Sequence, residues 1–378
     1  MADKIKYHSF CCPWCLKKLY PNDIVFRYGD GSVDDAVLAY RRKHLLSENE
    51  AAKSYFEVID PAFIENSTEN MLIDSDGFLQ SICIPSESSV SQELTMRLCP
   101  YCHNPLYKGS GKYPVITLSV LGATDVGKTA YLVALIEQLQ VDGFSLKNVG
   151  YTANGQINDY AENHLSEFCK GNILLDHSIE ENAPIVYQIE SPRGSMKSPF
   201  FLVIRMMDGQ DFQEEKKLCA KEDFLTETDI IAILFDLEQP KNINIIANTI
   251  WRGFEEKIKR KKPFISMIIS KSDQLQKNLP KFPNYLNFSS EVDHRNGKPL
   301  DDEYLLNNHC GIKEYIVEEN LYLKEADRIL SGVTSENRAR WFLASALRTS
   351  ERKDSSFDFK PLGCDTPILW ALSQMGYY

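Results

Sequence analysis

Short apolar runs alternate with helix-like stretches between about positions 113 and 273 of this sequence. Uninterrupted apolar runs of this length are typical of strands buried on both faces of a sheet, and helical patterns between them are typical of crossover connections. The alternation therefore predicts an α/β fold, with a mostly parallel sheet and helices on both faces. The predicted strands are Val115–Leu121, Ile185–Ile189, Phe200–Met207, Ile230–Phe235 and Phe264–Ser270, and the predicted helices are Thr129–Leu139 and Ile243–Arg260.

The pattern changes after this region. Residues 277–311 are polar and rich in Asn and Pro, which indicates an insertion at the edge of the sheet. Beyond them the pattern resumes with a predicted helix at about Ile312–Leu330, a strand at Trp341–Ala344 and a closing helix after Pro367. We therefore assign residues 113–378 to one α/β domain.

The first 112 residues have a different character, with clustered cysteines and a helix-like segment at about Val33–Val58. Two C-P-x-C knuckles occur there, and this spacing suits two thiolates from each knuckle on one tetrahedral Zn²⁺. Residues 1–112 are therefore predicted to form a zinc-ribbon-like module with a helical insertion. A redox pair and unmetallated buried thiols are the alternatives, although two such motifs in one module fit thioredoxin-like chemistry poorly. The predicted Zn²⁺ ligands are Cys12, Cys15, Cys99 and Cys102.

Residues 122–129 match G-x-x-x-x-G-K-[ST] at every position and lie between a predicted strand and a predicted helix. Glycines allow backbone amides to converge on phosphate oxygens, and the start of the helix adds a favourable dipole. The lysine brings a positive charge to the β- and γ-phosphates, and the final hydroxyl ligates Mg²⁺. The predicted nucleotide-binding residues are Gly122, Asp125, Val126, Gly127, Lys128 and Thr129, of which Lys128 also acts in catalysis and Thr129 also holds Mg²⁺.

Two later segments resemble those with which GTPases recognise guanine. Ser270-Lys271-Ser272-Asp273 ends a predicted strand and resembles [NT]-K-x-D, in which the Asp accepts two hydrogen bonds from guanine and the Lys stem lies along the base. The serine at position 270 departs from Asn or Thr, although its hydroxyl can tie the segment to the phosphate loop. Ser345-Ala346-Leu347 follows the next predicted strand and resembles S-A-[KL], whose backbone amide contacts guanine O6. The resemblance assigns base binding to Lys271, Asp273, Ser345 and Ala346.

The predicted strand that ends at Met207 runs into Asp208-Gly209-Gln210, which resembles the D-x-x-G-[QE] segment of GTPases. By that resemblance the Gly209 amide senses the γ-phosphate and Gln210 positions the attacking water. Met206 occupies the place usually held by Asp, so Asp208 is the predicted residue that holds the Mg²⁺ water shell. A tight Asp-Gly turn without a nucleotide role is the alternative.

A further Mg²⁺ ligand is expected from the segment that precedes the strand at Ile185. GTPases normally supply a Thr there. Ser178 is the first candidate for this ligand in the present sequence, and Thr152 is the second.

Together these segments make residues 113–378 resemble TRAFAC-type P-loop GTPases, and in particular the bacterial double-GTPase group of conflict and defence loci. The strand–loop–helix opening, the segment 208–212 and the ending Thr366–Leu372 carry the resemblance. Members of that group often have an N-terminal zinc ribbon. The resemblance implies a P-loop NTPase G-domain: a Mg²⁺-dependent GTP-binding and GTP-hydrolysing switch. It also implies that the protein works alongside a protein effector encoded nearby, and antiviral defence is the role that the group suggests.

Composition narrows the classes of function. The net charge of 42 − 53 = −11 disfavours a zinc-ribbon nucleic-acid binder and a surface that binds anionic membranes. No apolar run approaches the length that spans a bilayer, and the N-terminus lacks the apolar core of a signal peptide, so we expect a cytoplasmic protein. Two alternatives to a GTPase stay open. An ATPase has the same phosphate loop, and a GTP-binding scaffold with little hydrolysis would fit Met206.

The first testable prediction concerns Gln210. Gln210→Ala should slow GTP hydrolysis more than it weakens GTP binding, because a water-positioning side chain acts mainly in the transition state. Single-turnover hydrolysis and equilibrium binding of the same variant measure the two effects. An unchanged hydrolysis rate would show that Gln210 is only a turn residue.

Overall fold

The structure is a computed structural model. It describes residues 8–27, 58–59, 61, 70–74, 77–84, 92–152, 155–170, 183–190, 199–207, 227–239, 243, 246–248, 262–275, 302–334, 336–347, 359 and 361–377.

Short antiparallel strands make up the regular structure described in the N-terminal module. They form three small sheets, which pair as β1-β2, β4-β3-β8 and β5-β6-β7. The bounds are β1 Phe10–Cys11, β2 Lys18–Leu19, β3 Val25–Arg27, β4 Val58–Ile59, β5 Met71–Ile73, β6 Leu79–Ile84, β7 Gln92–Leu94 and β8 Arg97–Leu98. Apart from Val58, which lies in β4, the predicted helix at Val33–Val58 falls outside the described residues.

A seven-stranded sheet forms the centre of the second part of the chain, in the order β10-β11-β12-β9-β13-β14-β15. The pairs β10–β11 and β11–β12 are antiparallel, and the remaining four pairs are parallel. The strands are β9 Val115–Gly122, β10 Ser145–Asn148, β11 Ile185–Glu190, β12 Phe200–Met206, β13 Ile230–Phe235, β14 Phe264–Ile269 and β15 Ala339–Leu343. The prediction of a mixed α/β fold with a mostly parallel sheet is confirmed.

Five α-helices are described beside this sheet: α1 Lys128–Val141, α2 Tyr160–Cys169, α3 Asp302–Ile312, α4 Leu321–Val333 and α5 Thr366–Gln374. A π-helical turn at Lys313–Val317 links α3 to the chain before α4, and short 3₁₀ turns lie at Ser272–Gln274 and Glu336–Arg338. Most of the predicted helix Ile243–Arg260 lies outside the described residues.

The helix α3 runs from Asp302 to Ile312, with all but its last residue inside the polar stretch 277–311, and it ends where the sequence predicted a helix to begin. The predicted helix Ile312–Leu330 corresponds to the π-helical turn and most of α4. Two contacts with β15 explain why polar sequence is helical here. Asp302 accepts a hydrogen bond from Arg340 at 2.8 Å, and His309 Nδ1 accepts one from the Trp341 amide at 2.9 Å. Burial lowers the pKa of His309 to about 4, so the ring is neutral near pH 7 and can accept.

The N-terminal module packs directly on one face of the sheet. Side chains alternate along β12, so Phe201 and Val203 point to the module while Leu202 and Ile204 point to the main core. The Phe201 ring lies 4.9 Å from that of Tyr107 and 5.6 Å from that of Tyr113. The hydrophobic cluster shared by module and sheet includes Phe10, Trp14, Leu19, Ile24, Phe26, Leu106, Tyr107, Val149, Val186, Phe201 and Val203.

We predict from this packing that Phe201→Ala destabilises the whole protein by about 3–5 kcal/mol, because it removes a fully buried ring between the module and the sheet. Urea unfolding followed by tryptophan fluorescence measures the loss. Leu321→Ala is the matched control, since Leu321 is 78% exposed and its truncation should change stability by no more than about 0.5 kcal/mol. Equal effects of the two substitutions would contradict the packing.

Candidate functional site

The order of the strands reverses direction at β9. The chain continues from β9 to β10, β11 and β12 on one side and to β13, β14 and β15 on the other. In open α/β sheets, ligands bind at such a point, outside the carboxyl ends of the parallel strands. The segments after β9, β12, β13, β14 and β15 all leave the sheet at this edge, because these strands are parallel.

The loop after β9 has the backbone that its glycines require. A Cβ at Gly122 would come within 2.7 Å of Val126 Cγ2 and 3.2 Å of the Leu234 carbonyl, so a larger residue would displace the loop from the neighbouring strand. Gly127 has φ +92° and precedes α1, a left-handed conformation that glycine adopts without strain. Asp125 also has positive φ, at +64°, which Asp tolerates better than most residues.

The lysine of this loop lies over the loop's own backbone. Lys128 Nζ donates to the carbonyls of Gly122 at 3.1 Å and Ala123 at 2.8 Å. Within α1, which is described throughout, no side chain caps the first turn and no acidic residue occupies it. A positive amine and the start of a helix therefore lie side by side, an arrangement that favours an anion.

Thr129, the second residue of α1, lies next to a tyrosine that the sequence analysis did not single out. Its hydroxyl is 3.5 Å from the Tyr160 hydroxyl at the start of α2. The Tyr160 ring in turn meets the ring of His164 edge-on, with centroids 4.2 Å apart. Nothing in the sequence indicated this neighbour, because α2 is separated from the loop by the edge strand β10.

The structure brings the two predicted base-recognition segments together. Ser345 donates its hydroxyl proton to Asp273 Oδ1 at 2.7 Å, and the Ser272 amide donates to the Ala344 carbonyl at 3.1 Å. Ser345 also exchanges backbone hydrogen bonds with Leu362 at 3.0 and 2.8 Å, which fixes the segment from its other side. Ala346 packs against the main core. The Asp273 carboxylate thus accepts a hydrogen bond from the segment after β15 at the carboxyl edge of the sheet.

Two neighbours of Asp273 are fixed by β13 rather than by the phosphate loop. Ser270 donates its hydroxyl proton to the Phe235 carbonyl at 3.1 Å, a partner in β13 rather than in the phosphate loop. Lys271, in a left-handed backbone conformation with φ +54°, forms an ion pair with Asp236 at 2.6 Å.

Asp236 is a site residue that sequence reasoning missed. It follows β13 directly and is buried, and its second oxygen accepts from the Glu238 amide at 2.9 Å. The signal was present in the sequence: an acidic residue ends an apolar strand, at the edge where the parallel strands all end. The sequence does not show, however, that Asp236 and Lys271 are close together, because their proximity follows from the parallel pairing of β13 with β14.

The four predicted metal ligands also meet. The sulfur atoms of Cys12, Cys15, Cys99 and Cys102 all lie within 4.8 Å of one another, and they are the only such group of possible ligands among the described residues. The closest pairs are Cys12–Cys102 at 3.7 Å and Cys15–Cys99 at 3.8 Å. Distances of this size are close to those between thiolates on one tetrahedral ion.

The two knuckles have the same backbone geometry. In the first, the Leu16 amide donates to the Cys12 carbonyl at 2.9 Å, and Leu16 has φ +56°. In the second, the His103 amide donates to the Cys99 carbonyl at 2.9 Å, and His103 has φ +54°. Burial raises the pKa of the Cys12 thiol, so a bound cation is what would keep it as a thiolate.

No protein-family model matches this chain, and no curated protein matches it. Among solved structures, the translation elongation factor SelB from Methanococcus maripaludis, in complex with the GTP analogue GppNHp, is similar to it. The TM-score is 0.24 and the sequence identity is 11%, over 62% of this chain and 30% of the elongation factor chain. This chain thus spans less than a third of the length of that protein, and the similarity by itself assigns no function.

Four predicted site residues lie outside the described residues: Ser178, Asp208, Gly209 and Gln210. Thr152 is described. It is buried in the loop after β10, and its amide donates to the Gln156 carbonyl at 2.8 Å. This loop lies at the β10 edge of the sheet, with β11 and β12 between it and β9. Met206 is the last residue of β12, where it pairs with Val120 of β9.

No helix among the described residues is long and apolar enough to cross a membrane.

The cysteine geometry predicts one Zn²⁺ per chain. Cys12→Ser and Cys102→Ser should each lower the zinc content and unfold the N-terminal module, because structural zinc contributes folding energy directly. Metal analysis of protein purified without chelators measures the content. Cys169→Ser is the control, since Cys169 is exposed and outside the cluster. Wild-type protein without zinc would rule out the assignment.

Proposed function

We propose that this chain is a Mg²⁺-dependent GTP-binding protein that hydrolyses GTP and acts as a switch, with an N-terminal module held together by Zn²⁺. The observation that carries the proposal is the 2.7 Å hydrogen bond between Ser345 and Asp273, at the same edge of the sheet as the phosphate loop. A phosphate loop alone does not select a base, whereas a carboxylate held in a fixed orientation can select guanine.

In the proposed complex, the phosphates lie in the loop from Gly122 to Thr129. Lys128 exchanges its two backbone carbonyl partners for the β- and γ-phosphate oxygens, and the amides around Gly127 donate to the phosphates. Thr129, whose hydroxyl lies 3.5 Å from that of Tyr160, would hold Mg²⁺ through that hydroxyl. Asp208 and Ser178 are the proposed partners of the metal from the segments after β12 and before β11.

The base is read by the segments after β14 and β15. Asp273 accepts hydrogen bonds from guanine N1–H and the exocyclic amine, and the Ala346 amide donates to O6. The Lys271 stem lies along the base, and its ion pair with the buried Asp236 limits where that stem can lie. Adenine offers no donor at N1 and none at position 2, so the same carboxylate would be left without partners.

Hydrolysis is assigned to Lys128, the Gly209 amide and Gln210. The place of the usual Asp in the D-x-x-G-[QE] segment is taken by Met206, whose side chain has no oxygen with which to hold a metal-bound water. This residue favours the second candidate function, a GTP-binding scaffold with little hydrolysis. Single-turnover hydrolysis separates the two, because both bind GTP and only the first converts it.

A partner completes the proposal. Switch proteins act through an effector, and the resemblance to the double-GTPase group supports a protein effector encoded nearby and a place in bacterial antiviral defence. Purification of the tagged protein with GTP or GDP, followed by identification of proteins retained only with GTP, tests this part separately.

We predict that Asp273→Asn weakens GTP binding at least tenfold and gains affinity for xanthosine triphosphate. Xanthine has a carbonyl where guanine has an amine, so the site then needs a donor instead of an acceptor. A mismatched buried hydrogen-bonding group costs about 1–3 kcal/mol, and more when it is charged, and about 1.4 kcal/mol already corresponds to tenfold. Dissociation constants for GTP, XTP and ATP measure the change.

Lys128→Ala is the control for this experiment. It should lose GTP and XTP alike, because it removes a phosphate contact that is independent of the base. Equal GTP affinity of wild type and Asp273→Asn would show that Asp273 does not read the base, and tighter binding of ATP than GTP by the wild type would make ATP the preferred nucleotide.

A further inference from the structure

Arg205 of β12 belongs to the sheet but reaches into the metal-binding module. It lies on the same face of β12 as Phe201 and Val203, the residues that pack against the module. Its guanidinium donates to the Trp14 carbonyl at 2.7 Å, and Trp14 is one of the two residues between Cys12 and Cys15.

Trp14 itself is held firmly, so this hydrogen bond joins two fixed groups. The Trp14 indole donates to the Pro105 carbonyl at 2.9 Å, and its amide donates to Cys12 Sγ at 3.4 Å. The carbonyl that Arg205 contacts is therefore part of the turn that carries two of the four sulfur ligands.

The positive charge of Arg205 is opposite in sign to the net charge expected of a four-thiolate zinc centre. Burial lowers the pKa of Arg205 to about 10, and the charges of Cys12, Cys15 and Cys102 oppose that shift. A buried cation is costly without a nearby negative charge. Four thiolates and one Zn²⁺ carry a net charge of about −2, which a guanidinium beside the knuckle offsets in part.

Arg205 is also connected to the phosphate loop, through the pairing of β12 with β9. Arg205 pairs with Ser119 of β9, and the next residue pairs with Val120, two positions before Gly122. The Met207 amide continues the contact by donating to the Val120 carbonyl at 3.1 Å. A displacement of Arg205 would therefore act on the strand that ends in the phosphate loop.

We propose that Arg205 is a positioning residue that stabilises the four-thiolate metal centre from the sheet and couples metal binding to the phosphate-binding edge. The metal half of this proposal rests on the Zn²⁺ assignment, and the coupling half rests on the proposed GTP binding. The two halves are measured separately below, so that failure of one premise is not mistaken for failure of the other.

The metal experiment uses the 378-residue chain loaded with Co²⁺, whose thiolate complexes absorb visible light. Titration with Zn²⁺ displaces the Co²⁺, and the loss of absorbance gives the zinc affinity. Arg205→Gln keeps a donor for the Trp14 carbonyl and removes the charge. It should weaken zinc binding about 10–100-fold, the usual effect of losing a residue that supports metal ligands. Arg205→Lys keeps the charge and should lose less zinc affinity than Arg205→Gln. If Arg205→Gln does not fold, the zinc affinity of Arg205→Lys is compared with that of the wild type instead, and an unchanged affinity would then overturn the role of the guanidinium.

Arg340→Gln is the matched control, because Arg340 is a buried strand arginine of the same sheet that pairs with Asp302 in the described structure. Its zinc affinity should equal that of the wild type. An unchanged zinc affinity in Arg205→Gln, or an equal loss in Arg340→Gln, would overturn the role of Arg205. Neither result depends on a nucleotide.

The coupling arm measures binding of a fluorescent GTP analogue to zinc-loaded and chelator-stripped protein. Removal of zinc should weaken nucleotide binding in the wild type by about fivefold or more, a typical size for coupling between sites. In Arg205→Gln the loss on stripping should be smaller than in the wild type, because unfolding of the module still uncovers β12 but the link through the Arg205 side chain is absent. The same loss on stripping in both proteins would overturn the coupling through Arg205, whereas a wild type that binds no GTP in either form would contradict the proposed function instead.

Discussion

The parallel pairing of β9 with β12 on one side and β13 on the other is the constraint on which the candidate site depends. Parallel strands end at the same edge, so segments more than 200 residues apart, from Gly122 to Ser345, leave the sheet side by side. The pairing also requires glycine at position 122, because a Cβ there would meet Val126 and the Leu234 carbonyl of β13. The loop's shape is thus set by the sheet as well as by its own sequence.

Polar groups at this edge are arranged in two different ways. The Asp273 carboxylate is partly exposed and accepts a hydrogen bond from the Ser345 hydroxyl. The Asp236 carboxylate is buried and occupied by Lys271 and the Glu238 amide. Replacing Lys271 would leave a buried carboxylate short of a partner. The first group is therefore accessible from solvent, and the second holds Lys271 in place two residues before Asp273.

Much of the fold could be predicted from the sequence, because buried parallel strands read as continuous apolar runs. The predicted strand Ile230–Phe235 has the bounds of β13, and the other predicted strands differ from the structure by one or two residues at their ends. The edge strand β10 was missed because its residues alternate between exposed and half-buried positions, with Ser, Lys and Asn among them. The helix α3 was missed because its start depends on contacts with β15, which no local pattern records.

The candidate site likewise has parts that local sequence indicates and parts that depend on packing between distant elements. The phosphate loop and the cysteine knuckles have fixed spacing, so local sequence indicates both, and the structure brings the four sulfurs together. Partners supplied by other elements leave no such trace. The pairing of Asp236 with Lys271, the neighbour Tyr160 of Thr129 and the reach of Arg205 to Trp14 all follow from how strands and helices are packed.

The position of the cysteine module gives a physical reason why the four-cysteine cluster and the loop after β9 would depend on each other. The module covers β11 and β12 on the face to which Phe201, Val203 and Arg205 point, so those strands lack a fully buried environment unless the module is folded. Small modules with little core of their own depend on metal for folding. The end of β12, next to the loop after β9, is therefore supported by the module that carries the four cysteines, and under the proposed zinc binding a loss of metal would act on that loop through β12.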